Sequence, residues 1–262
     1  MKPARTRTVH GVSIGILMLD TGFARLPGDI GHGATWRFPV QYALMEGVTG
    51  PMVMAAAAGD RRAAAPLIDR FVDAANRLAR LGVDGVATSC GFLAAFQEDI
   101  AARCVVPVAT SSLLQIALAA SVLPGNQRVG VLTAKSSALT ASHLVAAHAD
   151  PTTPVVGLPE TSRFFENQMN DAAHVSFDEQ AQDVLDCAAR LLQQHPEVGA
   201  IVSECANFAP YSALIAERFG VPVFDIVSLI DWFHAGLRPR EFGRPTAIRS
   251  DSPMQASGFD EQ

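Results

Sequence analysis

Two cysteines, Cys90 and Cys205, are the residues of this 262-residue chain whose surroundings point most clearly to chemistry. Each follows a short apolar run and precedes a segment that is typical of a helix start, which places each thiol beside free backbone N–H groups. Such groups stabilise a thiolate and also receive an anion. We therefore expect the pair to form a two-thiol acid/base site for a small carboxylated substrate.

The two cysteines are equivalent positions of an internal repeat with an offset of 115 residues. Five short matches keep this offset without a gap: residues 14–17 with 129–132, 39–40 with 154–155, 85–90 with 200–205, 100–103 with 215–218, and 106–108 with 221–223. One register across most of the chain indicates a tandem duplication.

Short, mostly β-branched apolar runs predict buried parallel strands. They cover residues 12–19, 85–88, 106–109, 129–133, 200–203 and 221–224. Helical periods lie between them, with one apolar face over residues 66–81 and another over residues 177–194. This alternation predicts an α/β fold of two pseudo-symmetric, doubly wound domains, each with a parallel sheet covered by helices on both faces.

The repeat also predicts the domain organisation. We expect a first α/β repeat over residues 1–115, completed by a C-terminal helix within residues 225–262, and a second repeat over residues 116–224. In such sheets the ligand lies beyond the carboxyl ends of the strands. Both cysteines follow strand ends, so the active site is expected in the cleft between the domains.

A site that binds a carboxylated substrate needs preorganised donors for negative charge. Candidate donors are the backbone N–H groups of Gly91, Phe92, Ala206 and Asn207. Hydroxyl candidates near the strand ends are Thr88, Ser89, Thr110, Ser111, Ser112 and Ser203. These hydroxyls serve equally well as helix caps, and the sequence leaves both roles open.

Asp20 and Thr21 end the first strand, where the second repeat has Lys135 and Ser136. This reversal of charge suits an asymmetric substrate, whose amine Asp20 is expected to hold, unless Asp20 orients a water or thiol or merely caps the next turn. The glycine-rich loop of residues 25–33 carries basic side chains. It is predicted to be a lid with a carboxylate ligand, a structural loop or a dimer contact.

The remaining features exclude several functions. Cys104 and Cys187 are expected to be core residues. The histidines lack metal-ligand spacing, and no phosphate loop or dinucleotide fingerprint occurs, so we expect no metal and no cofactor. A net charge of -6 and a pI near 5.6 argue against nucleic-acid binding. With no membrane span or signal peptide in the pattern, we expect a cytoplasmic protein with reduced thiols, and homo-oligomer formation stays open.

The cysteine segments, residues 88–94 and 204–211, resemble the two cysteine motifs of the aspartate/glutamate/hydantoin racemase superfamily. Residues 19–21 are similar to the end of the first strand in glutamate racemases, and the likeness covers residues 12–235. The resemblance implies a cofactor-independent enzyme whose cysteines flank the α-carbon of its substrate. That substrate is an amino acid such as aspartate or glutamate, or a derivative such as a hydantoin.

Two departures leave the substrate open. Asn207 stands where glutamate racemases usually carry a His, and residues 91–93 differ from the hydantoin racemases. Both cysteines are present, which disfavours the one-thiol decarboxylases of this superfamily. Two alternatives remain: a maleate-type cis–trans isomerase with one cysteine as nucleophile, and a non-enzymatic protein that binds small acids. A binder gains nothing from paired thiols, so the racemase or epimerase is the favoured interpretation.

Overall fold

The computed structural model describes residues 11–59, 61–170, 176–239 and 242. Within them the chain forms two four-stranded parallel sheets and nine α-helices. The strands are β1 (Ile14–Leu19), β2 (Val40–Met45), β3 (Gly85–Thr88), β4 (Val108–Ala109), β5 (Arg128–Thr133), β6 (Val155–Gly157), β7 (Val198–Ser203) and β8 (Val223–Phe224). The helices are α1 (Gly50–Ala58), α2 (Arg61–Leu81), α3 (Gln97–Ala101), α4 (Ile116–Ser121), α5 (Ala141–Ala146), α6 (Arg163–Asn170), α7 (Phe177–Gln194), α8 (Ser212–Phe219) and α9 (Ile226–Leu237).

The two sheets have the same topology, which confirms the predicted α/β fold class. Their strand orders are β2-β1-β3-β4 and β6-β5-β7-β8. The registers agree as well, because Ile14 pairs with Gly85 in the first sheet and Val129 pairs with Ala200 in the second. Each partner in the second sheet lies 115 positions after its counterpart, so the sequence repeat corresponds to a structural repeat.

Alternating side chains of β1 explain why helices cover both faces of the first sheet. Leu17 and Leu19 pack in the cluster that contains Leu78 of α2. Ile14 and Ile16 point to the opposite face, in a cluster with Ile230 of α9. Successive strand residues point to opposite faces, and all four of these side chains are buried. Both faces therefore need an apolar cover.

The last helix of each half packs against the sheet of the other half. Helix α4 follows β4 of the first sheet, yet it contacts β5 and β7 of the second. Helix α9 follows β8 of the second sheet and packs against β3 and β4 of the first. The C-terminal helix expected over residues 225–262 is observed as α9, while residues 240–241 and 243–262 lie outside the described residues. The domain boundaries themselves stay a prediction.

Several predicted elements differ in detail: the strand expected over residues 12–19 begins at Ile14, and the helix expected over residues 66–81 begins at Arg61. The strands expected over residues 106–109 and 221–224 begin two residues later, at Val108 and Val223, because Pro107 and Pro222 have no N–H to donate to a ladder. The segment after Cys90, which was expected to begin a helix, is a 3-10 helix (Gly91–Phe96) that leads into α3. None of the described helices is long and apolar enough to cross a membrane.

Candidate active site

Cys90 and Cys205 occupy the same position in their two halves. Cys90 lies two residues after β3 and caps the 3-10 helix Gly91–Phe96. Cys205 lies two residues after β7 and caps a second 3-10 helix, Ala206–Tyr211. In each half the cysteine carbonyl accepts a hydrogen bond from the N–H three residues later, at 3.1 Å and 3.0 Å. The repeat thus presents both thiols at the carboxyl ends of the strands.

Both cysteines line one cavity of about 220 Å³ that residues from both halves enclose. This volume suits a small molecule of a few heavy atoms. The cavity is also lined by seven further residues that the sequence patterns single out: Asp20, Thr21, Ser89, Gly91, Phe92, Ala206 and Asn207. The geometry therefore brings nine predicted site residues together around one enclosed space.

Ser112 is fully buried and donates a hydrogen bond to the Ser203 carbonyl, so it does not line the cavity. Four other predicted residues also face the protein interior. The Thr88 hydroxyl donates to the Thr110 carbonyl at 2.6 Å, and the Thr110 hydroxyl donates to Gln97 at 2.7 Å. Ser111 accepts a hydrogen bond from the Leu113 N–H and caps the next turn. Ser203 is fully buried behind the strand end. None of these four is among the described residues that line the cavity. Ser111 has the helix-capping role that the sequence also allowed.

Burial dominates the acidity of both thiols. It raises the pKa of Cys90 to about 12, with a further increase from the Glu204 carboxylate, while the N–H groups of Phe92 and Leu93 lower it. The pKa of Cys205 also lies well above its ordinary value, first through burial and then through Glu204. The backbone N–H groups act in the expected direction, but the expected net decrease is wrong because desolvation outweighs them.

Glu204 belongs to the cavity wall, and the sequence patterns did not single it out. The residue is almost fully buried, at 1% exposed. Oε2 accepts a hydrogen bond from the Thr133 hydroxyl at 2.6 Å, whereas Oε1 has no hydrogen-bond partner within the described part of the chain. Burial raises the pKa of this carboxyl to about 7. A comparison of the two repeats could have pointed to Glu204, because the equivalent residue of the first half is the uncharged Ser89.

Glu204 contacts the opposite cysteine motif directly. A Cβ atom on Gly91 would lie 2.8 Å from Glu204 Cδ, and it would come closer still to Oε1 and to the Glu204 carbonyl oxygen. Only a residue without a side chain fits in this space. Gly91 follows Cys90 and Glu204 precedes Cys205. The two cysteine motifs are therefore in direct packing contact at this point.

Arg25 supplies positive charge to the cavity. Its guanidinium forms a salt bridge to Asp29 at 3.0 Å, and it donates to the Thr21 hydroxyl at 2.7 Å and to the Asn207 side chain at 3.1 Å. Arg25 belongs to the loop of residues 25–33, for which a lid, a structural loop and a dimer contact were all open. Here the loop reaches the second half through Asn207 and places a cation at the site.

Asp20 has a structural partner as well as a place in the cavity wall. Its Oδ2 accepts a hydrogen bond from the Gly47 N–H at 2.8 Å, which is the turn-capping role that its position at a strand end also allowed. Lys135, its counterpart in the second half, pairs with Glu160 at 3.0 Å. Among the described residues, no group of three or more His, Cys, Asp or Glu side chains is arranged to hold a metal ion.

Cys104 and Cys187 lie outside the cavity wall, as far as the described residues define it. Cys187 is fully buried in the core of the second half, and Cys104 packs at the edge of the first core. We expect Cys187→Ala to cost about 1 kcal/mol of folding free energy, with turnover almost unchanged. Cys104→Ser should cost less. Urea unfolding and a turnover assay on the same samples check both, and loss of turnover in a folded variant would contradict the assignment.

The proteins to which the chain is similar include several enzymes. A model of the Asp/Glu/hydantoin racemase family matches residues 38–231. A dimethylsulfoniopropionate lyase of Durusdinium sp. clade D is 23% identical over 241 residues, which are 89% of this chain and 78% of the lyase. Dimethylsulfoniopropionate lyase 5 of Emiliania huxleyi (strain CCMP1516) is 24% identical over 85% of this chain, which spans only 45% of that protein.

The fold has a counterpart among solved structures. Unliganded arylmalonate decarboxylase superposes with a TM-score of 0.55 at 19% sequence identity. The superposition covers 90% of this chain and 96% of the decarboxylase. At this identity the likeness supports a common fold.

Proposed function

Because the chain belongs to the Asp/Glu/hydantoin racemase family, we propose that it is a cofactor-independent racemase or epimerase. Its reaction takes place at the α-carbon of a small carboxylated substrate, with Cys90 and Cys205 as acid and base. The observation that carries the proposal is the placement of two repeat-equivalent cysteines in the wall of one small cavity.

Inversion at a carbon acid requires two groups. One thiolate removes the α-proton from one face, and the thiol opposite delivers its own proton to the other face of the planar carbanion. The C–H bond that breaks is replaced by a new C–H bond of opposite configuration, and the negative charge passes from one sulfur to the other. Two cysteines of pseudo-symmetric halves supply both groups, and their titrations are coupled.

The high thiol pKa values fit this chemistry. An α-proton next to a carboxylate is a very weak acid, so a strong base is needed to remove it. Burial raises the pKa of Cys90 to about 12, which makes its thiolate scarce in the free protein and strongly basic when it forms. Burial therefore lowers the fraction of Cys90 that is ionised, but it makes the thiolate that does form a stronger base.

The substrate's carboxylate has a cationic partner in this proposal. Arg25 lines the cavity with three hydrogen-bond partners that hold its side chain in place: Asp29, Thr21 and Asn207. A guanidinium fixed in this way loses little rotamer freedom on binding an anion. The N–H groups at the starts of the two 3-10 helices provide further donors for the charge that develops on the carboxylate.

A second candidate is elimination, and the lyase relatives favour it. Elimination needs the same first step, removal of the α-proton by one thiolate, but the carbanion then expels a leaving group from the β-carbon. In dimethylsulfoniopropionate the C–S bond would break, with release of dimethyl sulfide and acrylate. The same cavity serves this reaction with a single base.

The two candidates are separated by a panel of chiral amino, hydroxy and sulfonio acids incubated with the protein in D₂O. Racemisation predicts deuterium at the α-carbon and loss of optical activity, followed by NMR and chiral chromatography. Elimination predicts an alkene and the free leaving group, with no recovered enantiomer of opposite hand. If neither result were seen with any acid of the panel, the cis–trans isomerase and the small-acid binder would be the remaining alternatives. A Cys90→Ser, Cys205→Ser double variant serves as the control.

A further inference from the structure

Glu204 is the buried ionisable group of the cavity wall for which the two-thiol reaction has no use. It differs from the residue in the equivalent position, because the Ser89 hydroxyl accepts a hydrogen bond from the Leu19 N–H at 2.9 Å, whereas Glu204 keeps one oxygen unpartnered among the described residues. A buried polar atom without a partner is costly. Its retention at the junction of the two cysteine motifs therefore needs an explanation.

We propose that Glu204 is a neutral carboxylic acid whenever the cavity holds the carboxylate of the substrate, so that anion binding is accompanied by protonation of Glu204. The inference rests on the proposed function, because it concerns how the same cavity receives its anion. A neutral Glu204 would not repel the anion that Arg25 attracts.

The contacts of Glu204 favour the protonated form. Oε2 already accepts from Thr133, which leaves Oε1 to carry the proton. Arg25, the cation among the described residues of the cavity wall, is engaged by Asp29, Thr21 and Asn207. A buried carboxyl without a cationic partner is held near neutral charge by desolvation.

The surrounding charges act in the same direction. The titratable and charged groups that line the cavity or lie just behind its wall are Cys90, Cys205, Asp20, Arg25, Asp29 and Tyr211. His143 lies behind Phe92, and burial lowers its pKa, so it adds no charge at neutral pH. A substrate carboxylate next to an ionised Glu204 would place two negative charges in one small cavity. Anion binding must therefore be coupled to protonation of Glu204.

Iodoacetate and iodoacetamide test this coupling without any substrate. Both alkylate a thiolate, with formation of an S–C bond and release of iodide, but only iodoacetate carries a carboxylate. The ratio of their rates at Cys90 and Cys205, followed by mass spectrometry, cancels the thiolate population. In the wild type this ratio should fall about tenfold for each pH unit above about 7, as Glu204 ionises.

Two variants make the test specific. Glu204→Gln keeps a neutral side chain of the same shape at every pH, so its ratio should stay constant with pH. Thr133→Val removes the hydrogen bond that lowers the Glu204 pKa, so the fall should move to higher pH. This variant keeps Glu204 itself and so serves even if Glu204→Gln does not fold. Glu217→Gln, on the exposed side of α8, is the matched control and should follow the wild type.

A ratio that follows the same pH profile in the wild type and in Glu204→Gln would overturn the inference. So would alkylation by iodoacetamide with none by iodoacetate at a pH where Glu204 is protonated, because the cavity would then not admit a two-carbon carboxylate. The proposed racemisation fails by a separate result, the lack of α-exchange in D₂O. The two outcomes are independent because alkylation requires only a thiolate.

Discussion

Replacement of either Cys90 or Cys205 by Ser should abolish racemisation in both directions, with a loss of about 10²–10⁴-fold in rate. Each thiol is the base for one enantiomer and the acid for the other, and a serine hydroxyl is too weak an acid to replace it. The remaining thiol should still exchange the α-proton, or eliminate a β-substituent, from one enantiomer. The two variants should therefore show opposite enantiomer preferences, measured by α-deuterium exchange on separate enantiomers.

A covalent isomerase would give a different pattern. One variant would be inactive and the other merely slowed, and the nucleophilic cysteine would carry a thioether adduct with an unsaturated diacid. Intact-protein mass spectrometry detects such an adduct directly. Finding it, together with no α-exchange from any saturated acid, would contradict the two-base mechanism and support the isomerase.

Gly91→Ala should be the most damaging substitution of a residue that carries no side chain. Its Cβ would overlap the Glu204 carbonyl oxygen, and the backbone of one half would have to move away from the other. We expect a loss of folding free energy of about 1–3 kcal/mol, as in overpacked cores. We also expect a fall in kcat/KM of about 100-fold or more, because small displacements of catalytic groups are costly. Urea unfolding and steady-state kinetics measure the two effects.

The chain supplies a matched control for this substitution. Gly236 lies in α9, and a Cβ on it would meet no atom within 4 Å. Gly236→Ala should leave kcat/KM unchanged and raise stability slightly, since alanine is the better helix former. If Gly91→Ala behaved in the same way, the close approach of the two cysteine motifs would not be needed for activity.

Much of the fold was predictable because the repeat and the apolar runs agree. The strand predicted over residues 85–88 is β3, and the helix predicted over residues 177–194 is α7. Both elements are long or buried enough for the periodicity of the apolar residues to be unambiguous. Because the halves are related by the repeat, a strand or helix predicted in one half was also expected at the equivalent residues of the other half.

Two strands have no clear signature in the sequence, for physical reasons. β2 and β6 lie at the outer ends of their sheets, and β6 has only three residues. β2 is partly exposed, with Tyr42 and Leu44 among the exposed apolar side chains. An edge strand needs no continuous apolar run, so its pattern is weaker than that of a central strand. Only the proline–valine matches of the repeat marked their positions.

The site was predictable to the extent that strand ends determine it. Cys90, Cys205 and their neighbouring N–H groups were found because the residues after parallel strands meet at one edge. Arg25 was expected only as one of the basic side chains of the loop of residues 25–33, and Glu204 was not singled out. The contacts of Arg25 depend on a loop that reaches the other half, and the role of Glu204 depends on burial that one sequence does not reveal. Ser111 and Thr110 were proposed as donors but face inward, as a hydroxyl pattern does not tell a cap from a ligand.

The exchanged helices α4 and α9 bear on how such a chain could have arisen. A half-length polypeptide that ended after its own last helix would leave one face of its sheet bare, because that helix covers the neighbouring sheet. Two copies could satisfy each other by swapping these helices, which is an inexpensive route to a symmetric dimer. On this reasoning the progenitor was a homodimer with one thiol from each subunit. Two identical subunits could not differ as Ser89 and Glu204 do before the two thiols, so this difference depends on both halves belonging to one chain.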